Sequence, residues 1–193
     1  MKFRPLATSL VLIASAAVAH AAGQASTMRL GEIWNAVDDR VSRQIDVWFD
    51  GGDFPKSIHL LLFEATYWPH NYDVATNLGW MLENVEEWDS ALEVYKQYYK
   101  NNPQDKDRAL AEADYFFRRK QYAKVPDLLE PVLKLNPHAN NFRILAHAYE
   151  RLNRFDDAKR VWQEYLDFVP DDASAKVNLA RVVRKLKAAP AKS

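Results

Sequence analysis

The chain has 193 residues, with 26 basic and 26 acidic side chains, five glycines and no cysteine. A chain of this length has room for one domain, or one run of repeats, with a hydrophobic core of its own. The low glycine content argues against a turn-rich β barrel or sandwich. The absence of cysteine excludes disulfides, thiolate metal sites and a cysteine nucleophile, and a net charge of zero gives no reason to expect a nucleic-acid ligand.

The N-terminus has the layout of a secretory signal peptide. Lys2 and Arg4 form a basic start, residues 6–18 are apolar, and residues 19–21 are the small-residue triplet Ala-His-Ala. The apolar run is shorter than the roughly 20 residues that cross a bilayer, which argues against a retained membrane anchor. We therefore predict a cleaved signal peptide over 1–21 and a soluble mature chain that is exported, to the periplasm or out of the cell.

Two columns of residues recur at one period through the remaining chain. The first column consists of prolines that stand 34, 34 and 33 residues apart, at Pro69, Pro103, Pro137 and Pro170. The second is aromatic and has the same spacing, at Phe54, Trp88, Tyr122 and Phe155. Between the columns, apolar residues recur at helical spacing. Each unit is therefore predicted to be a pair of antiparallel helices, each of about 14 residues, and the fold class is predicted to be all-α.

The units resemble the tetratricopeptide repeat, whose pattern is W-x2-L-G-x2-Y, then A-x3-F, then P. The second unit has Ala75-x2-Leu78-Gly79-x2-Leu82, Ala91-x3-Tyr95 and Pro103. The fourth unit has Phe142-x2-Leu145-Ala146-x2-Tyr149, Ala158-x3-Trp162 and Pro170. The third unit is looser and the first is degenerate. The resemblance implies an α-solenoid of four repeats, at 38–71, 72–105, 106–138 and 139–172.

The segments outside the four repeats are predicted to extend and cover the solenoid, because a terminal repeat leaves one apolar face open. Residues 22–37 form an N-terminal extension that includes the start of the first helix. Residues 173–187 form a capping helix with an apolar stripe, and 188–193 form a flexible tail. Within the repeats, Pro126 and Pro131 predict a late start or a kink in the second helix of the third unit. Small residues are expected to let paired helices approach each other, at Gly79, Ala91, Ala113, Ala146 and Ala158.

Sequence signals for catalysis are weak. The chain has no Gly-rich phosphate loop, nucleophile elbow or paired-histidine zinc motif. The best fragment is His147-x-x-Glu150, but di-iron bundles use two such pairs with two further glutamates, and this chain has one. A polar surface pair is therefore the favoured interpretation. We predict no enzymatic activity, no catalytic residue, no metal and no cofactor.

The family resemblance implies that the first helix of each unit lines a concave groove. When the groove-facing positions of the family's repeat are applied to this sequence, eleven candidate partner-binding residues lie in the groove: Asp46, Phe49, Thr76, Trp80, Glu83, Asp114, Phe117, Arg143, His147, Glu150 and Arg181. The aromatic members could anchor an extended or helical segment of another protein. Alternatively, Trp80 and Phe117 pack between neighbouring helices. The carboxylate-clamp subtype of the family is not matched, since its lysine, asparagine and arginine places hold Thr76, Trp80, Leu110, Asp114, Arg143 and His147.

Charge differs between the two halves of the mature chain. Residues 22–105 carry 14 acidic and 6 basic side chains, and residues 106–193 carry 12 acidic and 18 basic. This asymmetry favours a ligand of matching polarity or head-to-tail self-association, or it is an uneven scatter of solvated charges. The leading hypothesis is a non-catalytic scaffold of the cell envelope that binds a protein or peptide and has no transmembrane segment. The alternatives are a self-associating structural subunit and a metal-binding or enzymatic accessory protein.

Overall fold

The computed structural model describes the backbone of residues 7–188 and the side chains of residues 29–188. Within this range the chain forms helices and no strand, so the predicted all-α fold is confirmed. Residues 1–6 and all side chains of the predicted signal peptide, and residues 189–193 of the predicted tail, lie outside the described residues. In the part of the chain whose side chains are described, no helix combines the length and the apolarity needed to cross a membrane. The chain divides into two compact units, Met1–Leu60 and Leu61–Ser193.

The first unit contains helix α1 (Ala7–Asp50) and the beginning of helix α2 (Phe54–Tyr67). The turn that separates the two helices needs glycine, because Gly52 has a φ of 75° in the left-handed region. Across this turn the rings of Phe49 and Phe54 meet edge to face, with their centroids 5.7 Å apart. Lys56 donates a hydrogen bond to the carboxylate of Asp53. These contacts fix the start of α2 against the end of α1.

The second unit contains the end of α2 and seven further helices within the described residues. They are α3 (Tyr72–Asn84), α4 (Trp88–Asn101), α5 (Leu110–Arg118), α6 (Val125–Leu133), α7 (Ala139–Arg151), α8 (Phe155–Phe168) and α9 (Ala173–Ala188). Helices α3 and α4, α5 and α6, and α7 and α8 pack as pairs, and α9 packs on α8. Each pair lies within the range of one predicted repeat, and α9 begins where the capping segment is predicted to begin. We call α3, α5 and α7 the first helices.

The turns inside the three pairs share one geometry. A residue in the left-handed region ends each first helix, with φ of 65° at Glu86, 61° at Lys120 and 58° at Asn153. The next amide then donates back over five residues, 2.9 Å to the carbonyl of Leu82, Phe116 and Tyr149 in turn. Because the same turn recurs in these three helix pairs, the aromatic residues that follow it keep the period of the repeat.

The α5–α6 pair, in the third repeat, departs from the other two pairs at the start of its second helix, and Pro131 lies inside that helix. Helices α4 and α8 begin at the aromatic column, at Trp88 and Phe155. At Tyr122 the chain instead makes a short 3₁₀ turn, and α6 begins only at Val125. Because Pro126 has no amide proton to donate, it fits in the first turn of a helix, where that proton is not used. The predicted late start is therefore confirmed.

Small residues form the contacts inside the pairs, as expected from the sequence. Ala91, Ala113, Ala146 and Ala158 are fully buried. A Cβ atom on Gly79 would lie 2.1 Å from the ring of Tyr95, so no larger side chain fits there without moving that ring. Helix α3 can approach α4 this closely only because residue 79 is glycine.

Candidate functional site: two clefts on the first helices

The first helices and α9 share a surface that contains two clefts. The apolar cleft has a volume of about 410 Å³ and is lined by Tyr72, Thr76, Trp80, Tyr95, Leu110, Ala111, Asp114, Arg118, Asn140 and Ile144. The basic cleft has a volume of about 590 Å³ and is lined by Phe117, His147, Glu150, Arg151, Asn153, Arg181 and Lys185. Helices α5 and α7 contribute residues to both clefts, so the two follow each other along these helices.

The apolar cleft offers aromatic and aliphatic surface with a balanced pair of charges. Trp80 is 46% exposed on α3, so its indole is accessible to a partner. Asp114 accepts a hydrogen bond of 2.7 Å from Nε of Arg118, one turn further along α5. Thr76 donates its hydroxyl to the backbone of its own helix, to the carbonyl of Tyr72 at 3.0 Å. The cleft therefore presents ring faces and carries no net charge of its own.

Glu83 is not a member of either cleft, although its register placed it in the groove. Its side chain is only 6% exposed and lies under Arg118, whose two terminal nitrogens each donate to one carboxylate oxygen at 2.8 Å. The hydroxyl of Tyr95 donates to the same carboxylate at 2.9 Å. The hydrogen bond to Glu83 is the main cause that raises the pKa of Arg118. Glu83 thus joins α3, α4 and α5, and both its oxygens are occupied.

The basic cleft is organised around a second glutamate. Glu150 accepts from Arg181 at 2.8 and 3.1 Å, and Nζ of Lys185 lies 3.1 Å away, so α9 is held to α7. Burial raises the pKa of Glu150, but the hydrogen bonds from the two cations outweigh it and bring the pKa to about 2. Glu150 is therefore ionised throughout the physiological range.

His147 contacts both Glu150 and an aromatic ring of α8. Its Nδ1 lies 3.6 Å from the carboxylate, and its ring meets Trp162 edge to face at 5.2 Å. Burial lowers the pKa of His147, and Glu150 opposes that shift. The carboxylate of Glu150 is already engaged by two cations. Within the described residues, no three histidine, aspartate or glutamate side chains are grouped so that they could hold a metal ion.

The other predicted groove residues lie in different surroundings. Phe117 is half-buried in the basic cleft, where its ring meets Tyr122 edge to face at 5.3 Å. Arg143 lines neither cleft and instead donates 2.8 Å to Asp172, at the start of α9. Asp46 and Phe49 belong to the first unit, where both are exposed. The clefts therefore bring together seven of the eleven candidates: Thr76, Trp80 and Asp114 in one, and Phe117, His147, Glu150 and Arg181 in the other.

The structure adds cleft residues that the sequence reasoning missed. Arg118, Arg151 and Lys185 all line a cleft, and they stand 33 and 34 residues apart. This is the repeat period, so extending the columns to charged residues would have found them. Tyr72 and Ile144 gave no such signal, because apolar residues at helical spacing serve the core as often as a surface.

A further cleft of about 850 Å³ lies away from these two. It is lined by the end of α2, by α3 and by α4, and most of its surface is apolar, with Leu62, Val74, Leu78 and Val94 among its residues. Asp89 and Glu93 lie at the α4 side of this cleft. It contains none of the predicted groove residues.

Comparison with known families decides what kind of repeat this is. Family models described as tetratricopeptide repeat match residues 44–106 and residues 139–182. The chain belongs to the tetratricopeptide repeat family. The two matched ranges include the close-matching second and fourth repeats. No curated protein sequence is significantly similar to this chain.

Solved structures of tetratricopeptide repeat proteins share the fold. MamA from AMB-1 is 20% identical, with a TM-score of 0.57 over 76% of this chain and 88% of that one. A tetratricopeptide repeat protein from Parabacteroides merdae is 12% identical, with a TM-score of 0.56 over 76% of this chain and 58% of its own length. The first TPR domain of human RPAP3 is 20% identical, with a TM-score of 0.54 over 62% and 95%. At these identities the likeness establishes the fold alone.

Proposed function

We propose that this protein is a non-catalytic scaffold of the cell envelope that binds a segment of a partner protein on the surface of its first helices. The observation that supports this most is the apolar cleft with the exposed ring of Trp80. A large aromatic side chain beside a cleft is typical of the residues that dominate protein interfaces. Tetratricopeptide repeats stack into surfaces suited to holding a segment of another protein. No chemical step is required, because binding follows from shape and charge alone.

Site-specific photo-crosslinking in cells tests this surface directly. A photoreactive phenylalanine analogue replaces Trp80 in the full-length chain, and a matched variant carries it at Val177, which is 64% exposed on α9. We expect a crosslinked protein partner from position 80 and none of the same mass from position 177. Mass spectrometry of the crosslinked band identifies the partner. Equal crosslinking from both positions, or none from position 80, contradicts binding at this surface.

Export belongs to the same proposal and is supported by the layout of residues 1–21. We expect the protein in the envelope fraction of the cell, with Ala22 as its first residue. Intact-mass measurement of the purified protein checks the cleavage, and fractionation checks the compartment. A chain that keeps Met1 to Ala21 and stays in the cytosol would contradict export, while leaving the binding surface to be judged by crosslinking.

Self-association is a second candidate, supported by the opposite net charges of residues 22–105 and 106–193. If the oppositely charged ends attract, the molar mass in solution should fall as salt rises, because screening weakens exposed charge pairs. Light scattering at 50 mM and 500 mM sodium chloride, on the order of 14 and 4 Å of screening length, measures this. A single molar mass at both concentrations contradicts assembly through charge.

A further inference from the structure

Two columns of mostly charged residues run through the first helices and α9. The first column is Glu83, Phe117 and Glu150, and the second is Arg118, Arg151 and Lys185. Both keep the 33- and 34-residue period of the prolines. We call each pairing of a first-column residue with the second-column residue one repeat later a row. The three rows are Glu83 with Arg118, Phe117 with Arg151, and Glu150 with Lys185.

Two of the three rows are complete ion pairs. Glu83 is held by Arg118 with two contacts of 2.8 Å, and Glu150 lies 3.1 Å from Lys185. In each case a carboxylate on one helix meets a cation on the first helix of the next repeat, or on the capping helix α9. The pairing is therefore a property of the repeat and not of one place in it.

The middle row lacks its carboxylate. Phe117 stands where the other rows have glutamate, and Phe117 and Arg151 both line the basic cleft. Arg151 is exposed, and among the described side chains it has no ion pair. The cleft as a whole has three cations, Arg151, Arg181 and Lys185, and one carboxylate, Glu150. Its lining residues therefore carry more positive than negative charge.

We propose that the basic cleft binds an acidic side chain of the partner segment, which supplies to Arg151 the carboxylate that Phe117 does not. This inference rests on the proposed function and specifies its partner. The partner segment carries an apolar side chain in the apolar cleft and an aspartate or glutamate in the basic cleft. Charge complementarity favours an acidic side chain, because a guanidinium group can bind a carboxylate through two parallel hydrogen bonds in a bidentate geometry.

The distance between the two clefts predicts the spacing between the apolar and the acidic residue of the partner segment. On α7, Ile144 lines the apolar cleft and Arg151 lines the basic cleft, seven residues further on. At 1.5 Å per residue this separation is about 10 Å along the helix. An extended chain advances about 3.3 Å per residue, so the apolar and acidic residues of the partner are expected to stand about three positions apart.

Synthetic peptides test the inference on the full-length protein purified from cells. The probes are fluorescein-labelled ten-residue peptides with an amidated C-terminus, one leucine and one glutamate on a glycine-serine background. The spacing between leucine and glutamate runs from one to six, and glutamine or lysine replaces glutamate in matched peptides. Fluorescence polarisation measures the dissociation constant. We expect the glutamate peptides of three-residue spacing to bind at least about tenfold more tightly than their glutamine counterparts, as for a charge-assisted pair.

Three variants decide where the acid binds. Arg151→Glu should reverse the preference so that lysine peptides bind best, and Phe117→Glu should abolish the preference by supplying the missing carboxylate from within the chain. Arg184→Glu is the matched control: Arg184 is exposed on α9 and does not line the cleft, so the same charge change there should leave the preference intact. Circular dichroism of each variant confirms that it is folded.

The outcomes separate this inference from the proposed function. If peptides bind equally with glutamate and glutamine, yet lose affinity in Trp80→Ala, the acid site is wrong and the binding surface stands. If Arg184→Glu changes the preference as much as Arg151→Glu, general charge and not the basic cleft is responsible. If no peptide binds, or binding ignores both Trp80 and Arg151, the inference and the proposed function both fail.

Discussion

The joint between α3 and α5 and the joint between α7 and α9 are built from the same repeat columns, yet they leave different surfaces. At the first joint, the carboxylate of Glu83 is enclosed by Arg118 and by the hydroxyl of Tyr95. At the second, the place of Tyr95 is taken by Trp162, which has no hydroxyl to donate, and Glu150 is held by cations of α9 instead. The two joints therefore differ in the groups that hold the glutamate, although its side chain is almost fully enclosed in both, at 6% and 8% exposed.

This comparison shows how a repeat protein can vary its ligand surface without changing its fold. Both joints place a glutamate at the same position of a first helix, and in both a cation from a following helix meets it. The net charge at each joint depends on whether the first-column residue is a glutamate that pairs with the cation of the next helix. In the middle row Phe117 stands in place of the glutamate, and Arg151 is the cation that we propose binds the partner.

The largest expected effect on stability comes from Glu83→Ala at the joint between α3 and α5. This change leaves Arg118 with Asp114 as its remaining carboxylate partner and leaves the buried hydroxyl of Tyr95 without its acceptor, and we expect a loss of about 3 kcal/mol in the free energy of unfolding. Urea unfolding at pH 7 measures it. Glu93→Ala, at an exposed position of α4, is the control and should lie within about 0.5 kcal/mol of wild type. Equal effects at both positions would mean that the joint is not a stability element.

A smaller effect at the same joint is expected from Gly79→Ala. In an exposed helix this substitution stabilises by about 1 kcal/mol, but here the new Cβ would lie 2.1 Å from the ring of Tyr95. Displacing the ring also disturbs its hydrogen bond to Glu83, so we expect a net loss of about 2 kcal/mol. Gly31→Ala on α1 is the matched control, because nothing lies within 4 Å of its added Cβ. Thermal unfolding should show opposite signs for the two variants, and the same sign for both would refute the close approach.

The smallest of these effects concerns the second joint and its dependence on pH. The pKa of Glu150 falls from 4.5 to about 2 in the folded protein. A lowered folded-state pKa means that the carboxylate stabilises the protein above pH 4.5 and that this contribution disappears as the pH falls towards 2. We expect wild type to exceed Glu150→Gln by on the order of 1–2 kcal/mol at pH 6 and by much less at pH 2.5. Urea unfolding at both pH values measures this, and a difference that stays constant would exclude Glu150 as the cause.

Much of the fold could be predicted because the repeat signals are local. Prolines, aromatic residues and small residues act through contacts within one helix pair, so their spacing alone predicted the pairs, the delayed start of α6 and the close approach at Gly79. The candidate surface was predicted less well. Thr76, Trp80 and Asp114 line a cleft as their register suggests, but Glu83 is buried and Arg143 is engaged with Asp172. Contacts with neighbouring helices decide this difference, because Arg118 covers Glu83 and Asp172 binds Arg143.

The sequence by itself determined the helical class, the repeat period, the family and the columns in which charged residues recur, because each depends on residue type and spacing along one chain. Tertiary structure decided which of those charges are used internally. Glu83 and Arg118 are 35 residues apart, and only the packing of α3 against α4 and α5 shows that they meet and bury the carboxylate. The same packing leaves Arg151 exposed in the basic cleft, with no described carboxylate within the roughly 4 Å that an ion pair needs.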